Sequence, residues 1–144
     1  MWIVFALGAS IFWGISYVLS EQVYRHISIL TSIAFTLTVA GIMVGAIALT
    51  TNVLSKDVAT MVSSPRVFFL LALGTLALII AELCIGFSIS NKNATIAGLI
   101  EISYPLFIVL FSFLFFRESN LNLATIIGAS LVFTGVGLIY AFNR

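Results

Sequence analysis

Two carboxylic acids, Glu82 and Glu101, stand inside apolar runs long enough to cross a bilayer. An acid near the centre of a membrane helix costs on the order of 3 kcal/mol even on the lenient insertion scale. Such a residue is expected to hold a proton, a cation or a donor group, or to lock helices together. Glu82 lies six residues before the end of the run 67–88, and Glu101 seven residues after the start of the run 94–116. A short turn makes these runs antiparallel. At 1.5 Å per residue, both carboxyls lie roughly 10 Å below the surface that holds the turn. Counting the same distance back in the run 2–20 reaches Trp13 and Gly14, so Trp13, Glu82 and Glu101 share one level. Tyr17 and Tyr104 lie one turn or less away and add flat amphipathic walls suited to organic solutes. Pro105 lacks the N–H that would bond the Glu101 carbonyl, so a kink is expected there, with a freed carbonyl beside a carboxyl. The alternative is purely structural: a protonated Glu101 bonded to the hydroxyl of Tyr104 or Ser103.

The remaining polar residues fall into stripes. Ser10, Trp13, Gly14, Tyr17 and Glu21 recur at helical spacing in the first run. Thr75, Glu82, Gly86 and Ser90 share a face of the third, and Ala94, Ala97, Gly98, Glu101, Tyr104, Pro105, Ile108 and Ser112 form a small-or-polar face of the fourth. Lipid-facing sides are uniformly apolar, so these faces should meet protein or a wet cavity. For the Gly, Ala and Ser positions, interhelical packing alone explains the pattern. The second and fifth runs carry small ridges, with a Gly-x-x-x-Gly pair at Gly41 and Gly45 and further glycines at Gly128 and Gly135. Both are expected to serve as packing scaffold.

The elements that must position these residues follow from composition. Of 144 residues, 62% are hydrophobic and 8% charged, whereas a soluble domain has about a quarter charged. A mean hydropathy of +1.25 excludes an aqueous globule or a disordered chain. A net charge of +1 is too weak for a nucleic-acid partner. A bilayer core about 30 Å thick requires roughly 20 apolar residues of helix, and five runs qualify: 2–20, 29–50, 67–88, 94–116 and 121–142. Only helices satisfy their backbone polar groups in lipid within an open chain. The fold class is therefore an all-α membrane protein with five transmembrane helices, forming one domain over 1–144. The first run is too long for a signal-peptide core and no basic residue precedes it, so it should be a retained span.

The connection 51–66 reads as an interfacial segment, with Pro65 opening the third span, and 117–120 as a tight hairpin. Arg25, His26, Lys92 and Glu118 sit at span ends, where snorkelling or solvation accounts for them. The lone Cys84 cannot close an internal disulfide. There is no phosphate-cradling glycine loop, no metal-spaced His/Cys set and no nucleophile–His pair. Neither an enzyme, a metal nor a cofactor is expected.

The run from Ala94 through Pro105, then Phe116-Arg117-Glu118, Gly128 and Gly135-Val136-Gly137 resembles the closing helices of the EamA domain of the drug/metabolite transporter superfamily. Trp13-Gly14 resembles its opening helix, so the likeness spans essentially the whole chain. The resemblance implies membrane transport of small solutes, with helices one, three and four lining a central path. It also implies one half of a ten-helix inverted-repeat transporter fold, since larger members carry two such repeats in one chain. The chain departs from the pattern in two places. Ser20-Glu21 stands where a lysine is often found, and the buried acids lie in the third and fourth spans, whereas the small multidrug relatives carry theirs in the first.

The expected function is secondary transport of a small metabolite or drug-like solute by a dimer, coupled to proton exchange at Glu101. The rival readings are a lipid-carrier flippase subunit and a non-transporting membrane assembly subunit whose acids lock helices. The expected partners are the bilayer, the solute, and a second copy or a similar small membrane chain. Lys56, Arg66 and Arg117 would lie on one side and Arg25, Lys92 and Arg144 on the other, three against three. Because Lys/Arg bias sets orientation, the chain carries almost no insertion instruction, and an antiparallel homodimer of dual topology is expected. The expected location is the cell (plasma or inner) membrane.

Overall fold

The computed structural model describes residues 1–117 and 122–142, and every element among them is helical. In chain order these are α1 (Trp2–Val23), α2 (Ile29–Thr50), α3 (Leu54–Ser63), α4 (Pro65–Asn91), α5 (Ala94–Glu101), α6 (Tyr104–Phe111) and α7 (Leu123–Phe142). Five stretches are long and apolar enough to cross a membrane: α1, α2, α4, Ala94–Phe116 as one broken span, and α7. The chain is a multi-pass membrane protein. Against the sequence reading, the first span runs on to Val23 and the third extends from Pro65 to Asn91. Residue 121, where the fifth was expected to begin, lies outside the described residues, as do Glu118 and most of the 117–120 hairpin.

Local chemistry sets the helix starts. The Ser28 hydroxyl accepts the Thr31 N–H at 3.2 Å to cap α2, and the Asn93 side chain accepts the Ile96 N–H at 2.8 Å to cap α5. Both satisfy a donor that has no partner within its own helix. Pro65 occupies the first turn of α4, where its missing N–H costs nothing. The interfacial segment folds as the short helix α3, with Leu54, Val58 and Met61 on one face and Lys56 and Asp57 exposed. It packs against α4.

The fourth span is interrupted. After Glu101 the chain makes a turn at Ile102 and Ser103, and α6 restarts with Pro105 in its first turn. The Ser103 N–H bonds the Ile100 carbonyl at 3.2 Å and the Leu106 N–H bonds the Ser103 carbonyl at 3.0 Å. These i→i+3 contacts replace the regular ladder around a proline that cannot donate to Glu101. The expected kink is thus a full break, directly after the acid. Past α6, residues Ser112–Phe116 widen into a π-helical turn that ends at Arg117 in the left-handed region, φ 56°.

α1, α4 and α5 meet at the end of the molecule where α4 turns into α5. Ile89, Ala94 and Ala97 are buried there, with Tyr17, Tyr24 and Ile85 packed on them. α2 joins through its opening turns, where Ile33 is its buried residue. A Cβ on Gly86 would lie 2.8 Å from Ile29 Cγ2, so α2 reaches α4 only because this position is glycine. The glycines expected to serve as scaffold make no such contact within the single chain. Gly41, Gly45, Gly128 and Gly135 have nothing within 4 Å of where a Cβ would stand. Among the described residues none of the four is a point of close approach, and α2 meets α4 near its start, at Ile29 and Ile33.

Candidate functional site

The site lies between α1 and the broken fourth span. Trp13 and Tyr17 stand one helical turn apart on α1, their ring centroids 5.6 Å apart and tilted by 57°. The Tyr17 ring lies over Gly98 of α5, where a Cβ would come within 3.3 Å of its Cδ2. Only glycine gives the ring this close an approach to the α5 backbone. From there the Tyr17 hydroxyl donates to the Glu101 carboxyl, across 84 residues of sequence. Glu101 is the last residue of α5, so the bond is made at the helix break itself.

Around this pair is a cavity of about 650 Å³, lined by Ser10, Trp13, Gly14 and Tyr17 from α1, and by Gly98, Glu101 and Tyr104 among others from the fourth span. Its size falls within the range of small-molecule pockets. Trp13, Tyr17, Glu101 and Tyr104, singled out from sequence, are thus brought together. Glu82 is half-buried on α4 and does not line the cavity. The lining holds carboxyl and hydroxyl groups and no basic side chain. Among the described residues no group of three His, Cys, Asp or Glu could hold a metal.

Two features differ from the sequence reading. The hydroxyl on Glu101 belongs to Tyr17, and neither Tyr104 nor Ser103 supplies it. Sequence spacing favours neighbours on the same helix, whereas here the broken span lets a residue from α1 reach the acid. The second feature is Glu21. Its Oε2 accepts the Ala94 N–H at 2.7 Å, and its Oε1 faces Arg25 Nη2 at 3.4 Å. The α1 stripe includes Glu21, but nothing in its spacing points to a backbone partner 73 residues away.

A family model for the EamA-like transporter family matches residues 1–141. The chain belongs to the EamA-like transporter family. Neither the curated proteins nor the solved structures give a match. The EamA-like fold therefore carries a membrane transporter assignment, and in this EamA-like chain the cavity between α1 and the fourth span is where polar groups gather within the membrane.

A second, wider groove of about 760 Å³ separates α6 from α7, lined by Pro105, Ile108, Val109, Ile126, Ala129 and Phe133 among others. Its hydroxyls are taken up internally: Ser130 donates to the Ile126 carbonyl at 2.9 Å and Thr134 to the Ser130 carbonyl at 2.8 Å. It is an apolar cleft between loosely packed helices and offers little polar chemistry.

Proposed function

We propose that this EamA-like protein is a secondary transporter of a small metabolite or drug-like solute, coupled to proton exchange at Glu101. The observation that carries the reading is the Tyr17–Glu101 bond, which lies in the lining of the aromatic cavity beside a helix break. A solute bearing a hydrogen-bond donor would displace the Tyr17 hydroxyl and take its place on the carboxyl. Trp13, Tyr17 and Tyr104 would hold the solute's flat apolar part. Release of the carboxyl proton as the solute binds, and its return after departure, would couple the two fluxes. The break interrupts the hydrogen-bond ladder between α5 and α6, and in this reading it would let one half of the span move without the other.

A second copy completes the path in this reading. The chain exposes 11328 Å², whereas a compact chain of 15.6 kDa exposes about 7,000 Å². Among the described residues, the buried hydrophobic side chains are Ile33, Ile89, Ala94 and Ala97. An open five-helix unit with evenly divided basic residues suits an antiparallel pairing, as in transporters whose inverted repeats meet near the midplane. Residence in the plasma or inner membrane belongs to the same proposal.

The test uses purified protein in liposomes with an imposed pH gradient and a panel of labelled solutes. Solute flux driven by the gradient is expected, with Glu101→Gln folding normally but losing the pH dependence. Glu82→Gln should be milder, since Glu82 does not line the cavity. Wild-type flux and pH profile in Glu101→Gln would falsify the coupling role. Absence of flux with every solute would favour the assembly-subunit reading.

A further inference from the structure

We propose that Glu21 is a positioning residue, setting α5 in register with α1 so that Glu101 meets Tyr17 across the cavity. The inference deepens the transport reading above, but it rests on contacts that exist without any solute.

Ala94 is the first residue of α5, and its N–H has no acceptor within that helix. Asn93 caps the helix at Ile96 and does not serve Ala94. Ala94 is also buried, at 5% exposure, so water cannot supply the acceptor. The Glu21 carboxylate does so from another helix, at 2.7 Å. A carboxylate at a helix N-terminus is also favoured by the positive end of the helix dipole. The contact is thus specific in partner and favourable in sign.

Its position gives it leverage on the site. α1 and α5 run antiparallel and touch at three successive points. Glu21 holds the Ala94 N–H, the Tyr17 ring lies on Gly98, and the Tyr17 hydroxyl holds Glu101. Glu21 and Tyr17 stand one turn apart on α1, and Ala94 and Glu101 two turns apart on α5, a difference spanned by the length of the tyrosine. A one-residue screw of α5, about 1.5 Å along its axis and about 100° around it, would put a side chain under the Tyr17 ring in place of Gly98. It would also carry Glu101 away from the hydroxyl. Only the Glu21 contact is anchored on a backbone atom at the start of α5, so it fixes the register that the two deeper contacts use. Arg25 meets the other Glu21 oxygen from an exposed position and serves the surface end of the same carboxylate.

Trp13 provides the readout, because its ring packs on Tyr17. In a Trp2→Phe background, Trp13 is the one remaining tryptophan of the two in the chain. Glu21→Ala is expected to shift the Trp13 emission maximum while helix content is kept. Glu21→Gln, which retains an acceptor oxygen, should restore the emission of the parent. Ala94→Pro removes the same N–H from the opposite partner, at a first helical position where proline is tolerated. It should reproduce the Glu21→Ala shift and serves if Glu21→Ala does not fold. Ile33→Ala controls for loss of stability, since it truncates the side chain that α2 buries beside Gly86 of α4. Unchanged emission in Glu21→Ala and Ala94→Pro, an equal shift in Ile33→Ala, or no rescue by Glu21→Gln would each overturn the proposal. Because emission requires no solute, this inference can fail while transport stands, and the reverse.

Discussion

Replacing Tyr17 by Phe removes one hydroxyl while keeping the ring on Gly98 and against Trp13. The cost therefore isolates the bond to Glu101. A hydrogen bond between neutral groups contributes about 1 kcal/mol and one to a charged group about 1.5–3 kcal/mol. Between membrane helices the average is lower, about 0.6 kcal/mol with a maximum near 1.7. Both partners here are half-buried, which places the expected coupling at about 0.6–1.7 kcal/mol. A double-mutant cycle with Glu101→Met measures it, because methionine keeps the length of the side chain and supplies only a weak acceptor. Unfolding free energies of the four proteins in mixed micelles with rising SDS would give the coupling directly. Independent sites add within about 0.3–0.5 kcal/mol. A coupling below about 0.3 kcal/mol would show that the Tyr17–Glu101 bond contributes nothing to the fold, and would remove the observation on which the transport mechanism is built.

Gly86→Leu should lower the stability of the single chain by about 1–3 kcal/mol through overpacking, since even a Cβ there would lie 2.8 Å from Ile29 Cγ2. Unchanged unfolding in detergent would mean that α2 does not rest on α4 in this way. Gly41→Leu should leave that single-chain stability untouched, because the position is open, while reducing association between copies in cross-linking experiments. Loss of single-chain stability with normal association would place Gly41 in a contact absent from the fold. With the basic residues divided equally, a reporter fused after Arg144 should be detected on both faces of the membrane, and adding two lysines to the 117–120 connection should drive it to one face. Single-sided labelling of the unaltered chain would rule out dual topology.

The sequence alone determined that five helices are long and apolar enough to span a membrane, and it marked Pro105, beside Glu101, as the place where the fourth is disturbed. Each follows from a one-dimensional rule: hydropathy against bilayer thickness, and the missing N–H of Pro105. Periodicity also assigned Ser10, Trp13, Gly14 and Tyr17 to one face of α1, and that face lines the cavity. Tertiary structure decided what those faces meet. It gave Glu101 the Tyr17 hydroxyl, tied Glu21 to the Ala94 backbone, and chose Gly86 and Gly98 as the points of close approach, while Gly41 and Gly45 stay open within the chain. In water, an apolar stripe announces its burial, because exposure is penalised. In lipid, the surroundings are as apolar as a neighbouring helix, so every small-residue ridge is an equal candidate for contact. Which ridge is used depends on the lateral order and tilt of the helices, and these arise only when α1, α4 and α5 pack together around Ile89, Ala94 and Ala97.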